Sequence, residues 1–521
     1  MEPLKERLKK YYGWDEESYG EYTAEPSSLS FPSLKGNPEV EKALSRIKKA
    51  IDSKERTLLY GDYDTDGILG TSIFHQSLFE LGMDASYFIP SRYQDGYGLS
   101  MANAEKIARA GYSLLILIDN GVSCLEEISF LKEKGVDVLI FDHHELPKDL
   151  PPSLALVHPI TLGIGEEGGF NISAGFVCYL FSIALTGKED RYRRTLAGVT
   201  ALSDMMPLKG INRTLVALTL RDLRKEKYPE ICLLCDKNRI SEKELGMLII
   251  PAINALGRME EGHKTAQAVA YFSYRDPARR LLLANWMKET NEKRKELTKE
   301  AGDLVSFKQG ASGIVANLPL KEGLNGLLAN RLMKQHKVPV AIFSSSYEDP
   351  NVLVGSLRSE EGFDVLDCLS SLSPYCIRSG GHAHAGGISI LAKDFPSFSK
   401  AFLAYCREHP FKKEEPEAIP LLLSEANMDS FRIIRSFGPF GEEHEEPLFC
   451  LANLSVDSFQ YSKDGKYLIT PLGYKTKLVS FSLGRKDFLL KDKTSFYVRF
   501  ELNEYRGDTS LELRVESAPS K

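Results

Sequence analysis

Five side chains that favour hard divalent cations stand at four separated places in this sequence. They are Asp64 and Asp66 in Gly61-Asp62-Tyr63-Asp64-Thr65-Asp66-Gly67, then Asp119, His143 of Asp142-His143-His144, and Asp204. Each follows or ends an apolar run that reads as a buried strand or helix. Carboxylates gathered in one cleft repel one another, and a divalent cation relieves that repulsion most simply. The set predicts a two-metal hydrolase, in which paired ions activate water and balance developing charge. Oxygen and imidazole donors without a thiolate suit Mn²⁺ or Mg²⁺.

Each motif alone has a plainer explanation. The Asp-Tyr-Asp-Thr-Asp-Gly run is also an acidic turn or the start of a calcium loop. A twelve-residue calcium loop would continue to a terminal Glu, whereas Ile68-Leu69-Gly70-Thr71 begins an apolar helix. If the strand stays extended at its exit, Asp62, Asp64 and Asp66 share one aspect. Asp142-His143-His144 is also a capping cluster ahead of Glu145-Leu146-Pro147. Two histidines after an apolar strand suggest instead one imidazole for metal and one for a substrate phosphate. Taken together, the four places predict a metal site.

The elements that must position these residues alternate between residues 55 and 160. Short β-rich runs, Thr57 to Tyr60, Ser86 to Ile89, Leu114 to Ile118, Val136 to Phe141 and Leu154 to Val157, are separated by amphipathic stretches. Continuous apolar strands joined by helices predict a parallel sheet covered on both faces. Ligands bind such sheets beyond the carboxyl ends of the strands, where Asp64, Asp119 and Asp142-His143 fall.

Residues 173 to 260 read as mostly helical, with Asp204 at a helix end. From Asp276 to about Phe307, opposite charges at spacings of three and four predict a solvated connecting helix. A second α/β unit runs from Gly313 to about His409. Its strand candidates begin at Gly313, Val340 and Val352, and it carries the glycine-rich Ser379-Gly380-Gly381-His382. Glycines there allow close backbone approach to a phosphate. A polar linker, His409 to Pro416, precedes a tail with turns at Asp464-Gly465 and Arg506-Gly507, read as a small antiparallel barrel or sandwich.

At 521 residues the chain exceeds one compact core, since a domain takes roughly 100–200 residues. The hydrophobic fraction of 43%, charged fraction of 26% and net charge of -6 are ordinary for a soluble protein. Any nucleic-acid surface must therefore be local. Residues 454 to 499 offer one, with nine Lys or Arg against four Asp and interleaved aromatics Phe459, Tyr461, Tyr467, Tyr474 and Phe481. Such aromatics are equally ordinary as barrel core. The eight cysteines lack the repeated pairs of a disulfide or zinc framework, and Cys232-Leu-Leu-Cys235 reads as packing. Without an apolar leader or a run of about 18 apolar residues, a cytoplasmic protein with no membrane association is expected.

Several separated motifs, in order, resemble the DHH phosphoesterase superfamily and, within it, the RecJ single-strand exonucleases. They are Gly61 to Gly70, Pro90-Ser91-Arg92 with Asp95-Gly96-Tyr97-Gly98-Leu99, Asp119-Asn120-Gly121, Asp142-His143-His144, and Asp204 with Pro207-Leu208 and Asn212-Arg213. The likeness continues through Ile253-Asn254-Ala255-Leu256-Gly257-Arg258, Ser356-Leu357-Arg358-Ser359 and Gly380-Gly381-His382 to the Pro439-Phe440-Gly441 region. It implies an α/β protein. Residues 1–50 would pack on the core, 51–275 form a parallel-sheet DHH domain, 276–308 a connecting helix, 309–412 a DHHA1 domain and 413–521 an OB-like barrel.

The resemblance implies Asp64 and Asp119 on one metal and Asp66, Asp119, His143 and Asp204 on the other. Asp62, Asp142, His144 and His382 join the catalytic set, the two histidines contacting the scissile phosphate from opposite lobes. Arg92, Ser356 and Arg358 would hold a terminal 5′-phosphate, with Tyr97, Asn254, Arg258, Gly380 and Gly381 also binding substrate. The implied activity is 5′→3′ hydrolysis of single-stranded DNA to 5′-mononucleotides in repair and recombination, alongside a helicase and a single-strand-binding protein. A nanoRNA or cyclic-dinucleotide phosphodiesterase and a noncatalytic replication scaffold are the alternatives. Three departures stand out: Tyr60 where phosphatase branches place a metal-binding His, the acidic Glu442-Glu443-His444-Glu445, and no His-Pro-Gly turn near Pro319 to Gly323.

Overall fold

The computed structural model describes residues 2–28, 31–164, 172–235, 237, 239–260, 262–308, 310–410, 415–488, 492–505 and 508–518. It divides into two compact units, residues 28–412 and residues 1–27 together with 413–521.

The first unit opens with β1 (Thr57–Tyr60), β2 (Ser86–Phe88), β3 (Leu114–Ile118), β4 (Asp137–Phe141) and β5 (Ala155–Val157). All pair in parallel, in the order β2-β1-β3-β4-β5. Because successive side chains alternate faces, the apolar runs feed two cores. Leu114, Ile116 and Ile118 join the helices Thr65–Glu80 and Ala174–Thr186, while Leu115 and Leu117 join a smaller cluster with Tyr60, Ile128 and Leu131 on the other face. The chain leaves β1 toward β2 and returns to the opposite side at β3. That reversal opens a crevice at the carboxyl ends of β1 and β3.

A second sheet, in the order β6-β7-β8-β10-β9, comprises β6 (Ile314–Asn317), β7 (Val340–Ser345), β8 (Val352–Arg358), β9 (Cys376–His382) and β10 (Ala385–Leu391). The helix Pro277–Asp303 connects the lobes, its Asp276 cap accepting from the Ala278 N–H at 2.9 Å. It is shorter than the expected 276–308, and it is not simply solvated. Leu283, Ala284, Met287, Asn291 and Ala301 are buried, because one face packs on the helices Ile250–Met259 and Asn325–His336.

The second unit holds β11 (Ile419–Leu421), β12 (Phe449–Ser455), β13 (Leu468–Gly473), β14 (Thr476–Ser480), β15 (Lys493–Tyr505) and β16 (Asp508–Ser517), in the order β11-β12-β15-β16-β14-β13. The sheet is mixed rather than wholly antiparallel, since β11–β12 and β14–β16 pair in parallel. Gly465, at φ 72°, makes the expected first turn, while the second, at 506–507, and linker residues 411–414 lie outside the described residues.

Residues 1–50 do not pack as one segment on the core of the first unit, contrary to expectation. The helix Pro38–Asp52 does, burying Val40, Ala43 and Ile47 there. Leu4 and Leu8 instead enter the tail core, and Trp14 stacks on Phe437 and His444 with centroids 5.4 Å apart. An amphipathic helix buries its apolar face wherever a complementary core exists, and here that core is the tail's. His444 is drawn inward from the acidic run, its Nε2 2.8 Å from the Phe437 carbonyl, while Glu442, Glu443 and Glu445 stay exposed. No helix among the described residues is long and apolar enough to cross a membrane.

Candidate metal centre and end-binding cleft

The acidic loop after β1 is shaped by its own backbone needs. Asp64 caps the helix Thr65–Glu80, accepting from the Gly67 N–H at 3.1 Å. A side chain at Gly67 would place Cβ 2.4 Å from the Asp62 nitrogen, so only glycine lets the loop fold this tightly. The Asp66 carboxylate accepts from the Ala174 and Gly175 N–H groups at 2.7 and 2.8 Å, at the start of a second helix. That helix end favours the ionised carboxylate and so opposes part of the cost of its burial. Asp119 adopts φ 61°, a left-handed conformation that Asp tolerates better than most residues, while its N–H still bonds the Phe141 carbonyl at 2.9 Å.

These elements bring the candidate ligands to one place. His143 Nε2 lies 3.2 Å from Asp204, 3.3 Å from Asp119 and 3.7 Å from Asp66. Asp62, Asp64 and Asp119 form an adjoining trio whose ligand atoms lie within 4.8 Å of one another. Burial, reinforced by neighbouring carboxylates, pushes Asp62, Asp66 and Asp119 well above the usual range, and burial with Asp64 raises Asp204 to about 6. Burial and the neighbouring His144 lower His143 to about 4, leaving a neutral imidazole able to bind metal. Asp62 Oδ1, Asp119 Oδ1 and both His143 ring nitrogens are buried without a hydrogen-bond partner. Buried polar atoms of this kind call for a missing partner, and these donors fit divalent cations.

His144 plays a different part. Its Nδ1 sits 2.7 Å from Asp142 Oδ1, and its Nε2 lies 3.0 Å from the Tyr97 hydroxyl. Burial opposes protonation, yet the Asp142 carboxylate raises His144 to about 9. Burial likewise opposes ionisation of Asp142, but its bonds to His144 and to the Val122 N–H bring it down to about 2. The pair is a cation oriented by a buried anion, suited to meeting a phosphate.

The remaining predicted residues separate into two groups. Arg92, Ser356 and Gly380 line one cleft between the lobes of the first unit. The Arg92 guanidinium lies 4.4 Å over the Tyr63 ring, and its Nε is buried without a partner. Arg258 donates to the Gly323 carbonyl at 3.0 Å, and burial beside Arg92 lowers it to about 10. Arg358 donates to its neighbour, the Leu357 carbonyl, at 2.7 Å, leaving donors for a ligand. Gly381, at φ 151°, and His382 end β9, exposed at the hairpin. Asn254 does not present its oxygen to the cleft. Its Oδ1 accepts from the Thr65 N–H and hydroxyl, both at 2.8 Å, and so braces the acidic loop.

Several supporting roles escaped the sequence reading. Asp95 accepts from the Ser91 N–H at 2.8 Å and from Asn103 Nδ2 at 2.9 Å, and its Oδ2 lies 2.7 Å from His263 Nε2. Tyr60 donates to the Gly98 carbonyl at 3.0 Å, so the residue that departs from the phosphatase pattern holds the loop carrying Arg92 and Tyr97. Asn103 and His263 carry no motif, and a sequence separation of 168 between His263 and Asp95 hides the pairing.

Residues 56–203 match the DHH family N-terminal domain, 312–408 the DHHA1 domain and 419–517 the RecJ OB domain. These three models occur in the order and positions of the sheets described above. This succession of domains is that of a RecJ-type exonuclease. Relatives named single-stranded-DNA-specific exonuclease RecJ include that of Haemophilus influenzae, 29% identical over 92% of this chain and 90% of its own length. The Bacillus subtilis protein of that name is 29% identical over 80% of this chain and 54% of its own. RecJ of Thermus thermophilus in complex with Mn²⁺ has the same fold, with a TM-score of 0.82 at 24% identity over all of this chain and 76% of that one. An exonuclease RecJ bound to manganese superposes with a TM-score of 0.62 at 27% identity, over 73% of this chain and 97% of that one.

Proposed function

We propose that this chain is a divalent-metal-dependent exonuclease of the RecJ type that removes 5′-mononucleotides from the 5′ end of single-stranded DNA, serving repair and recombination. The single observation that carries the reading is the convergence of Asp64, Asp66, Asp119, His143 and Asp204 on one centre, with unpartnered buried donors aimed into it. Asp64 and Asp119 would hold one ion, and Asp66, Asp119, His143 and Asp204 the other. When bound, Mn²⁺ or Mg²⁺ neutralises the carboxylates and lowers the pKa of a coordinated water.

The chain's own residues do the rest. His144, kept cationic by Asp142, holds a proton at Nε2 for a phosphate oxygen, and His382 approaches the same phosphate from the second lobe. Arg92, Ser356 and Arg358 hold the terminal 5′-phosphate, a dianion that a guanidinium fork fits in two hydrogen bonds. Gly380 and Gly381 keep side chains away from the strand's path. The tail presents Tyr467, Tyr474 and Phe481 to solvent, and they support stacking of unpaired bases. A helicase supplying single strand and a protein coating it are the partners such an activity calls for.

Asp119→Ala tests the assignment. End-labelled oligonucleotides of each polarity should lose all metal-dependent nucleotide release while strand binding persists, and full retained activity would defeat the proposal. A dinucleotide phosphodiesterase shares the chemistry but lacks multiple phosphate contacts, so a steep salt dependence on long strands separates the two.

A further inference from the structure

The cleft bearing Arg92 and Ser356 encloses about 370 Å³ and runs past the place expected for a terminal monophosphate. Its floor is the outer face of the second sheet. Pairing of β10 with β8 and β9 sets Arg358, Ala385 and His382 in one cross-strand row, and Ser356, Gly387 and Gly380 in the next. A third row on the same face holds Val354, Ser389 and Arg378. Rows lie about 6.5–7 Å apart, two residues of strand rise. Arg378 therefore stands one row beyond Ser356, on the side away from His382.

Two features decide what this extension takes. A Cβ added at Gly380 or Gly387 would meet nothing within 4 Å, so the space above the middle row is open. The lining beyond it offers the Arg378 guanidinium with the Ser389 hydroxyl, and no aromatic ring lines the cleft among the described residues. Without a ring there is no platform for a base, whereas guanidinium and hydroxyl groups suit phosphate oxygens. Glu322, the carboxylate among the lining residues, lies in the field of Arg92 and accepts from the Tyr347 N–H at 3.3 Å.

We infer that the cleft admits strands ending in a 5′-di- or triphosphate, with Arg378 binding the outermost phosphate. The inference rests on the reading that Arg92, Ser356 and Arg358 hold the first phosphate. Hydrolysis itself is unchanged. Water's oxygen bonds to the phosphorus of the second nucleotide, the bond to the 3′-oxygen of the first breaks, and that oxygen takes a proton. The first product is then a nucleoside 5′-triphosphate, and the shortened strand carries an ordinary 5′-monophosphate.

Oligonucleotides with 5′-hydroxyl, 5′-monophosphate and 5′-triphosphate ends, compared for release of the first nucleotide, test this. The wild type should release an intact nucleoside triphosphate. Arg378→Ala should lower kcat/KM on the triphosphate end about ten-fold while the monophosphate end changes less than about two-fold, with Arg378→Lys recovering part of the loss. Refusal of the triphosphate end by the wild type, or equal loss on both ends in Arg378→Ala, overturns the inference. If monophosphate and hydroxyl ends react equally, the underlying end-binding reading fails instead.

Discussion

Replacing Asn254 with Ala removes one acceptor from two buried donors of Thr65, the residue between the candidate ligands Asp64 and Asp66. Both bonds are 2.8 Å long, and Thr65 is completely buried. The hydroxyl has a fallback acceptor in the Ile250 carbonyl, 3.5 Å away. The backbone N–H has only Asn254 among its described contacts. Leaving a buried N–H unsatisfied costs about 1–3 kcal/mol, and loss of the hydroxyl's better bond adds about 1, so Asn254→Ala should destabilise the first unit by about 2–4 kcal/mol. Thr65→Val, which leaves the N–H bond intact, should cost about 1 kcal/mol. Urea unfolding measures both, and the Mn²⁺ concentration for half-maximal nucleotide release reports whether the loosened loop binds metal less well. An Asn254→Ala protein within about 0.5 kcal/mol of wild type, with unchanged metal dependence, would refute the bracing role.

Two further expectations concern sites away from the metal centre. Burial lowers the pKa of His75 despite the Asp84 carboxylate 3.3 Å from its Nε2. The unfolded chain therefore binds the proton more readily, so the stabilisation is fully present above pH 6.5 and is lost as the pH falls through the folded value. Unfolding curves for wild type and His75→Leu between pH 7.5 and 5 should show the wild type losing stability more steeply, and parallel curves would contradict it. In the tail, Tyr467 and Phe481 are 38% and 55% exposed, with ring centroids 5.6 Å apart and the Arg514 guanidinium 4.8 Å over Phe481. Replacing both rings with Ala should weaken single-strand binding by about 1–3 kcal/mol, measured by fluorescence anisotropy, with hydrolysis of a dinucleotide unchanged. Undiminished binding would place the strand elsewhere.

The catalytic lobe was legible because its constraints are local. Apolar runs such as Leu114 to Ile118 must be buried, and a parallel sheet leaves chemistry only at the strand ends, so Asp119 and His143 announced their position. Asn254 was read as a substrate contact because a motif records which residues recur together, not which way each side chain turns. The Asp95–His263 pair and the destination of Leu4 and Leu8 were hidden for a related reason. Amphipathic or polar character says that a face will find a partner, and many partners satisfy it equally.

The sequence by itself determined the donor chemistry, the parallel strands carrying it and the order of the modules, since residue type and alternation act over a few neighbouring positions. Tertiary structure alone decided that His143 stands within 4 Å of three carboxylates and that Arg92 faces Ser356 and Arg378 across a cleft. It also decided which tail aromatics meet solvent. Those outcomes depend on how distant segments close on one another, and alternation along a strand names two faces without saying which one another layer will cover.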